Sequence, residues 1–321
     1  MRISGVIFLT VSSVAFGQLN GPSLGVVPDT GAIRSMYGSA AAGAVGDRVE
    51  LGAALSLVEV APSQDFVLAS AAESGKMLLV PVAKSVVPMQ LLGIASAPDK
   101  IVFSPNGSAA ALWFANVAQI QIISGLPASA SIRNLDVSYL SGMPLSIAIS
   151  DDGQWAAGVW SNGVYAFGPE GQPRLLPTEG APMAVAFFHG KQDATIITSS
   201  QVLTISDIGG QASSTLLWNN PSPANDAPAQ VAVGFAVSAD NQRITVTGDW
   251  GGVYTINLAN NNEGSYVMCG CTPTGLASLG GSLYRLTGMV DGAVKVYDAA
   301  ANQVWMVPLA NTNTGANGGG Q

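Results

Sequence analysis

The chain has 321 residues, 48% of them apolar and 10% charged, with a formal net charge of −8 and only 12 Lys and Arg. It is too apolar to be disordered, and too poor in cations to grip nucleic acid or an anionic membrane surface. One His and two Cys leave too few ligands for a zinc cluster or a disulfide framework, so no metal and no cofactor is expected.

Met1-Arg2 precede an apolar stretch from Ile3 to Phe16, and Ala15-Phe16-Gly17 presents small residues where a signal peptidase would cut, before Gln18. Residues 1–17 read as a signal peptide, and the mature protein as exported, periplasmic or extracellular, with no membrane insertion after cleavage. A buried N-terminal strand or helix is the competing reading. The stretch is short for a membrane span, and no later segment has about 18 unbroken apolar residues.

Residues 18–310 read as one domain. Segments 24–27, 32–36 and 49–51 are short and apolar, enough for most of one sheet. From residue 55 the chain repeats. Pro98-Asp-Lys-Ile-Val-Phe-Ser104, Pro144-Leu-Ser-Ile-Ala-Ile-Ser150, Pro182-Met-Ala-Val-Ala-Phe-Phe188 and Pro273-Thr-Gly-Leu-Ala-Ser-Leu279 share one frame, a Pro six residues before an anchor that opens a polar turn. Two looser copies end at Ala61 and Ser238. The six anchors are spaced 43, 46, 38, 50 and 41 residues apart, the repeat length of a four-stranded propeller blade.

Each repeat then carries a turn such as Asp151-Asp152-Gly153, a β-rich run such as Arg243-Ile-Thr-Val-Thr247, a second turn and a third strand. The third strands are expected at 77–80, 120–123, 164–167, 202–205, 253–256 and 294–297. No long stretch has a helical apolar period. The fold class is all-β: a β-propeller of four-stranded blades, seven preferred because about 43 residues per blade fit the mature length. In that reading the terminal segments meet to close the ring, and six blades with an N-terminal extension is the alternative. Residues 311–321, rich in Gly, Asn and Thr, read as a disordered tail.

Asp291-Gly-Ala-Val-Lys-Val-Tyr-Asp298 resembles the third-strand signature of WD-repeat propellers, with Tyr297 where Trp is usual. Phe103-Ser-Pro-Asn-Gly107 and Ile149-Ser-Asp-Asp-Gly153 resemble the first turn shared by WD-repeat and related bacterial propellers. The resemblance spans about residues 55–309 and lacks the usual Gly-His pair. It implies a ring of blades around a channel that serves mostly as a platform for partners.

The candidate functional residues follow from that topology. Trp113, Trp160 and Trp250 fall near connections between second and third strands, which a propeller gathers on one face with the blade-joining loops. Two of those loops, 136–143 and 219–229, are enlarged. Trp113, Trp160, Asp249 and Trp250 are therefore the candidate partner-binding set, with packing between blades as the competing role of each Trp. His189 sits in a first turn, expected on the opposite face, and reads as a solvated turn residue rather than a catalytic base. The recurring Asp residues at turns read as backbone chemistry rather than carboxylate pairs. Cys269 and Cys271 are the expected disulfide, at a spacing near the limit of reach.

No catalytic set assembles from these residues. The expected function is a non-catalytic extracytoplasmic platform, monomeric, binding a protein or glycan partner. The alternative is a propeller enzyme of lactonase, lyase or quinoprotein type with its site at the channel mouth. Three converging carboxylates, or His189 lining a mouth, would favour the enzyme.

Overall fold

The computed structural model describes residues 22–49, 51–82, 88–94, 96–219, 232–290 and 292–310. The expected signal peptide, the C-terminal tail, Asp291 and most of the 219–229 loop lie outside them. Seven antiparallel sheets follow one another along the chain. Blade 1 comprises β1 (Ser23–Asp29), β2 (Ala32–Tyr37) and β3 (Ala44–Val49); blade 2, β4 (Leu55–Val60), β5 (Phe66–Ala71), β6 (Met77–Pro81) and β7 (Met89–Gln90). Blade 3 holds β8 (Lys100–Phe103), β9 (Ala109–Phe114), β10 (Gln119–Ser124) and β11 (Ser131–Asp136). Blade 4 holds β12 (Ser146–Ile149), β13 (Ala156–Trp160), β14 (Gly163–Phe167) and β15 (Pro173–Leu175). Blade 5 holds β16 (Pro182–Phe187), β17 (Ala194–Thr198), β18 (Gln201–Ser206) and β19 (Ser213–Asn219). Blade 6 holds β20 (Ala232–Val237), β21 (Arg243–Gly248), β22 (Gly252–Asn257) and β23 (Glu263–Met268). Blade 7 holds β24 (Ala277–Gly280), β25 (Leu283–Arg285), β26 (Ala293–Asp298) and β27 (Gln303–Pro308). The protein is a seven-bladed β-propeller. All six expected third strands lie within observed ones.

The repeat anchors owe their recurrence to one hydrogen-bonded turn. In blade 4 the buried Ser150 hydroxyl donates to Asp152 Oδ1 (2.6 Å) and accepts from the Trp155 N–H (2.9 Å), while Asp152 Oδ1 also accepts from the Gln154 N–H (2.9 Å). Ser238 and Asp240 repeat this in blade 6, and Ser104 with Asn106 in blade 3. Each turn satisfies its own backbone donors, which lets it close a strand pair at the channel. Asp240 is held below the usual carboxylate range by the Ser238 hydroxyl and the Gln242 N–H.

These turns also tie blades together. Asp151 Oδ1 accepts from the Asn106 N–H (2.9 Å) in blade 3, and Oδ2 accepts from the Gly190 N–H (2.7 Å) in blade 5. Asn241 of blade 6 exchanges two bonds with the His189 backbone. The first turns of blades 3 to 6 therefore lie on one face, and β8, β12, β16 and β20 run in the same direction.

Blade 1 departs from this pattern. Gly25 lies against Gln64, which follows β4, and Gly31 lies against Leu55, which begins it. β1 thus runs antiparallel to β4, as a second strand of a blade does. Its burial agrees: β1 is buried like the second strands β5, β9 and β13, and β3 is exposed along its end like the outer strands. Blade 1 consists of second, third and fourth strands, and among the described residues its innermost position holds no strand. The N-terminal segments thus supply most of one blade, as expected from their length, with three strands among the described residues.

Gln64 spans the gap. Its Oε1 accepts from the Val26 N–H (2.7 Å), and its Nε2 donates to the Ser278 carbonyl (2.7 Å) on β24. One side chain of blade 2 so satisfies edge groups of blades 1 and 7. Replacing Gln64 with alanine leaves both groups unpaired in a half-buried setting, at a cost of about 1–3 kcal/mol. A urea midpoint no lower than that of wild type would show that the gap needs no staple.

At the outer edge, Leu309 forms a parallel bridge with Val45, and the Ala310 N–H donates to the Val45 carbonyl (2.7 Å). The chain's two described ends therefore meet at blade 1, as expected. The core lies between blades rather than at one centre. Leu24, Val27, Met36 and Val45 pack with Val294, Val296 and Val307 of blade 7, while Val26 and Ile33 pack with Val67 and Val80 of blade 2.

Candidate functional site

Two of the expected binding residues face inward. Trp160, the last residue of β13, is 0% exposed and meets Tyr165 and Phe167 edge-on, each at a centroid distance of 6.0 Å. Its indole lies across Gly158, where any Cβ would collide with it. Trp113, at the end of β9, is 4% exposed and belongs to the same apolar cluster. Trp113 and Trp160 therefore cannot present a ring to a partner: they pack blade 3 against blade 4. Val137 and Leu140, from the enlarged 136–143 loop, join that cluster, so this loop serves the core.

Trp250 and Asp249 differ. They occupy the second turn of blade 6, where Asp249 is exposed and Trp250 half-buried. The Trp250 indole rests on the hairpin's own backbone. A Cβ on Gly248 would lie 1.7 Å from its six-membered ring, and a Cβ on Gly252 would lie 2.1 Å from Nε1. Only glycine at both positions lets the ring lie there. From Trp250 a row of rings runs along blade 6. Tyr254 is 6.3 Å from Trp250, 5.8 Å from Trp218 of blade 5, and 4.5 Å from Tyr266, its directly paired neighbour across β22 and β23. Tyr266 is 43% exposed, and Met268, opposite Gly252, 56%.

Sequence reasoning found Trp250 but missed Trp218, Tyr254 and Tyr266. The available signal was the period-two string Gly248-x-Trp250-x-Gly252-x-Tyr254, which places small and aromatic residues on one sheet face.

The structure joins Cys269 to Cys271, with Cα atoms 5.2 Å apart. Gly270 between them takes φ +59°, a conformation that favours glycine. The Cys269 N–H donates to the Gly251 carbonyl (2.8 Å), so this short loop abuts the turn that carries Trp250.

The central channel encloses a cavity of about 480 Å³, walled by inner strands of blades 2 to 7, including Ile101, Ile147, Val185 and Phe235. His189 lines its first-turn mouth, half-buried, with Nε2 3.2 Å from the Val237 carbonyl. It is therefore a clamped residue between blades 5 and 6 rather than a freely solvated one. Glu59 is the one carboxylate among the described residues of the wall. No group of three or more His, Cys, Asp or Glu converges on a metal-sized site among the described residues.

Burial pushes the Glu59 carboxyl above its usual range, with Arg285 and Lys100 only partly offsetting this. The fold therefore favours protonated Glu59: its contribution is present below the unfolded carboxyl pKa and lost as pH rises through the raised folded value. Glu59→Gln should raise the urea midpoint at pH 7 and leave it unchanged at pH 4. An equal midpoint at pH 7 would contradict this.

No protein-family model and no curated protein sequence matches the chain. Solved structures do. A functionally unknown protein from Desulfotomaculum acetoxidans is 14% identical with a TM-score of 0.57, covering 88% of this chain and 98% of that one. Apo AztD from Citrobacter koseri is 12% identical with a TM-score of 0.53, covering 90% and 83%. KlHsv2, with its loop 6CD replaced by a Gly-Ser linker, is 8% identical with a TM-score of 0.57, covering 88% and 92%. The likeness is one of fold. At these identities it carries no activity across, and the WD-repeat resemblance holds for architecture alone.

Proposed function

We propose that the protein is a non-catalytic, extracytoplasmic binding platform that holds a protein or glycan partner on the aromatic row of blades 5 and 6. The observation that carries this reading is the series of half-buried Trp218, Tyr254 and Trp250 that ends in exposed Tyr266, with exposed Met268 beside it. Rigid aromatic rings lose little conformational freedom on binding and recur at interface hot spots. The positive, apolar, small-residue order of residues 1–17 supports export. His189 at a channel mouth is the feature that favours the enzyme reading. Against it stand the single carboxylate among the described wall residues and the engagement of the His189 ring with the Val237 carbonyl.

The test is affinity capture by the immobilised mature protein from its own culture fluid or envelope. A partner retained by wild type and displaced by an excess of soluble wild type, but not of soluble Trp250→Ala, supports the platform. Capture through a surface indifferent to that substitution overturns it.

A further inference from the structure

We infer that the accessible face of Trp250 is a stacking platform for a neutral glycan, a deepening that rests on the binding reading above. The warrant is the way the ring is mounted. Gly248 and Gly252 stand at facing positions of the β21–β22 hairpin, and the indole covers both, its six-membered ring over Gly248 and its pyrrole over Gly252. One face is therefore applied to backbone, and the ring keeps part of its surface accessible to solvent. Trp218 reaches from blade 5 to Gly264 of blade 6, where a Cβ would lie 3.3 Å from its Nε1, and packs against the apolar cluster between the two blades. Tyr254 touches three rings at 4.5–6.3 Å, so the side chains fill the spaces between one another. The result is a packed row of rings, partly accessible at Trp250 and exposed at Tyr266, rather than a pocket.

A surface of this kind suits one ligand chemistry better than others. Polypeptide hot spots insert anchors into pockets, and these rings leave little room between them. A pyranose instead offers a flat face of C–H groups, whose partial positive charge meets the negative face of an aromatic ring. Charge narrows the class further. The turn contributes Asp249, and the far end of β23 contributes Glu263. The nearest described cation on this hairpin, Arg243, lies at the opposite end of β21, 3.8 Å from Asp240. Polyanions such as acidic polysaccharides would find no countercharge along the row. The Tyr254 hydroxyl and the backbone of the turn can hydrogen-bond sugar hydroxyls, and the Tyr266 hydroxyl, which donates to Met268 Sδ, can accept from them. Sequential rings along the strand pair would accept successive sugars of an extended chain.

The test uses the mature protein and defined probes: neutral β-linked hexasaccharides of glucose, xylose and N-acetylglucosamine, with polygalacturonate as the acidic control. At least one neutral hexasaccharide should bind by calorimetry and shift the tryptophan fluorescence, with polygalacturonate inert. Trp250→Ala should weaken that binding at least tenfold and Trp250→Phe by less. Gly252→Ala, which displaces the indole without deleting it, should weaken binding as Trp250→Ala does. If Gly252→Ala fails to fold, the two Trp250 variants decide alone. No binding by any neutral hexasaccharide, or binding indifferent to Trp250→Ala, overturns the inference. A captured polypeptide partner that depends on Trp250, with no sugar bound, overturns the glycan while sparing the platform; indifference of every ligand to Trp250 overturns both.

Discussion

Trp160→Ala should cost about 3 kcal/mol of stability, a large part of the roughly 5–15 kcal/mol that holds a typical domain together. The ring is fully buried, so its loss opens a cavity between blades 3 and 4 that backbone pairing in β13 and β14 keeps from collapsing. The estimate sits at the low end for a buried Trp because the indole N–H has no hydrogen-bond partner, and removing it relieves about 1–3 kcal/mol. Trp160→Phe follows from the same reasoning. It keeps most of the volume and discards the unpaired N–H, and should lie within about 1 kcal/mol of wild type. Urea denaturation of both variants checks this, and a stable Trp160→Ala would mean the ring is not a packing element.

Deleting residues 18–49 should abolish cooperative folding. Blade 1 buries Leu24, Val26, Val27, Ile33, Met36 and Val45, each among residues of blade 2 or blade 7. At about 1.5–3 kcal/mol for each large side chain, the loss is on the order of 10 kcal/mol, comparable to the whole stability of a domain. The deletion also bares the facing surfaces of blades 2 and 7 and opens a ring whose closure hides sheet edges. Far-UV circular dichroism should show a broad, non-cooperative melt. A sharp transition near the wild-type temperature would make blade 1 an appendage.

Much of the fold could be read from the residues. The anchors Ser104, Ser150 and Ser238 recur because each turn needs a hydroxyl that both donates and accepts. A chemical requirement repeated at blade spacing leaves a sequence trace. The count of seven followed from length, since terminal segments too short for a four-stranded blade still fill a sector once Gln64 bridges the gap. That bridge left no trace, because a glutamine in a turn looks like any other polar residue.

The site was half legible for a similar reason. Trp160 and Trp250 each follow a glycine by two residues near the end of a second strand, and both indoles fold over that glycine. What separates them is their surroundings. Trp160 shares its cluster with Val137 and Leu140 of the loop that follows blade 3, whereas the ring Trp250 meets is half-buried Tyr254 of its own blade, which leads to exposed Tyr266. Local pattern fixes a ring's seat; tertiary neighbours decide whether it is covered. Trp113 failed as a candidate on the same ground.

The placement of the binding surface is tested most directly by the dissociation constants of one captured partner for wild type, Trp250→Ala, Trp160→Phe and His189→Ala, with urea midpoints measured in parallel. Trp250→Ala should bind at least tenfold more weakly with its midpoint within about 1 kcal/mol of wild type. Trp160→Phe and His189→Ala, altered between blades and at the channel mouth, should bind as wild type does. Equal affinity across all four proteins would contradict the account, and weakened binding confined to His189→Ala would contradict it and move the site to the channel.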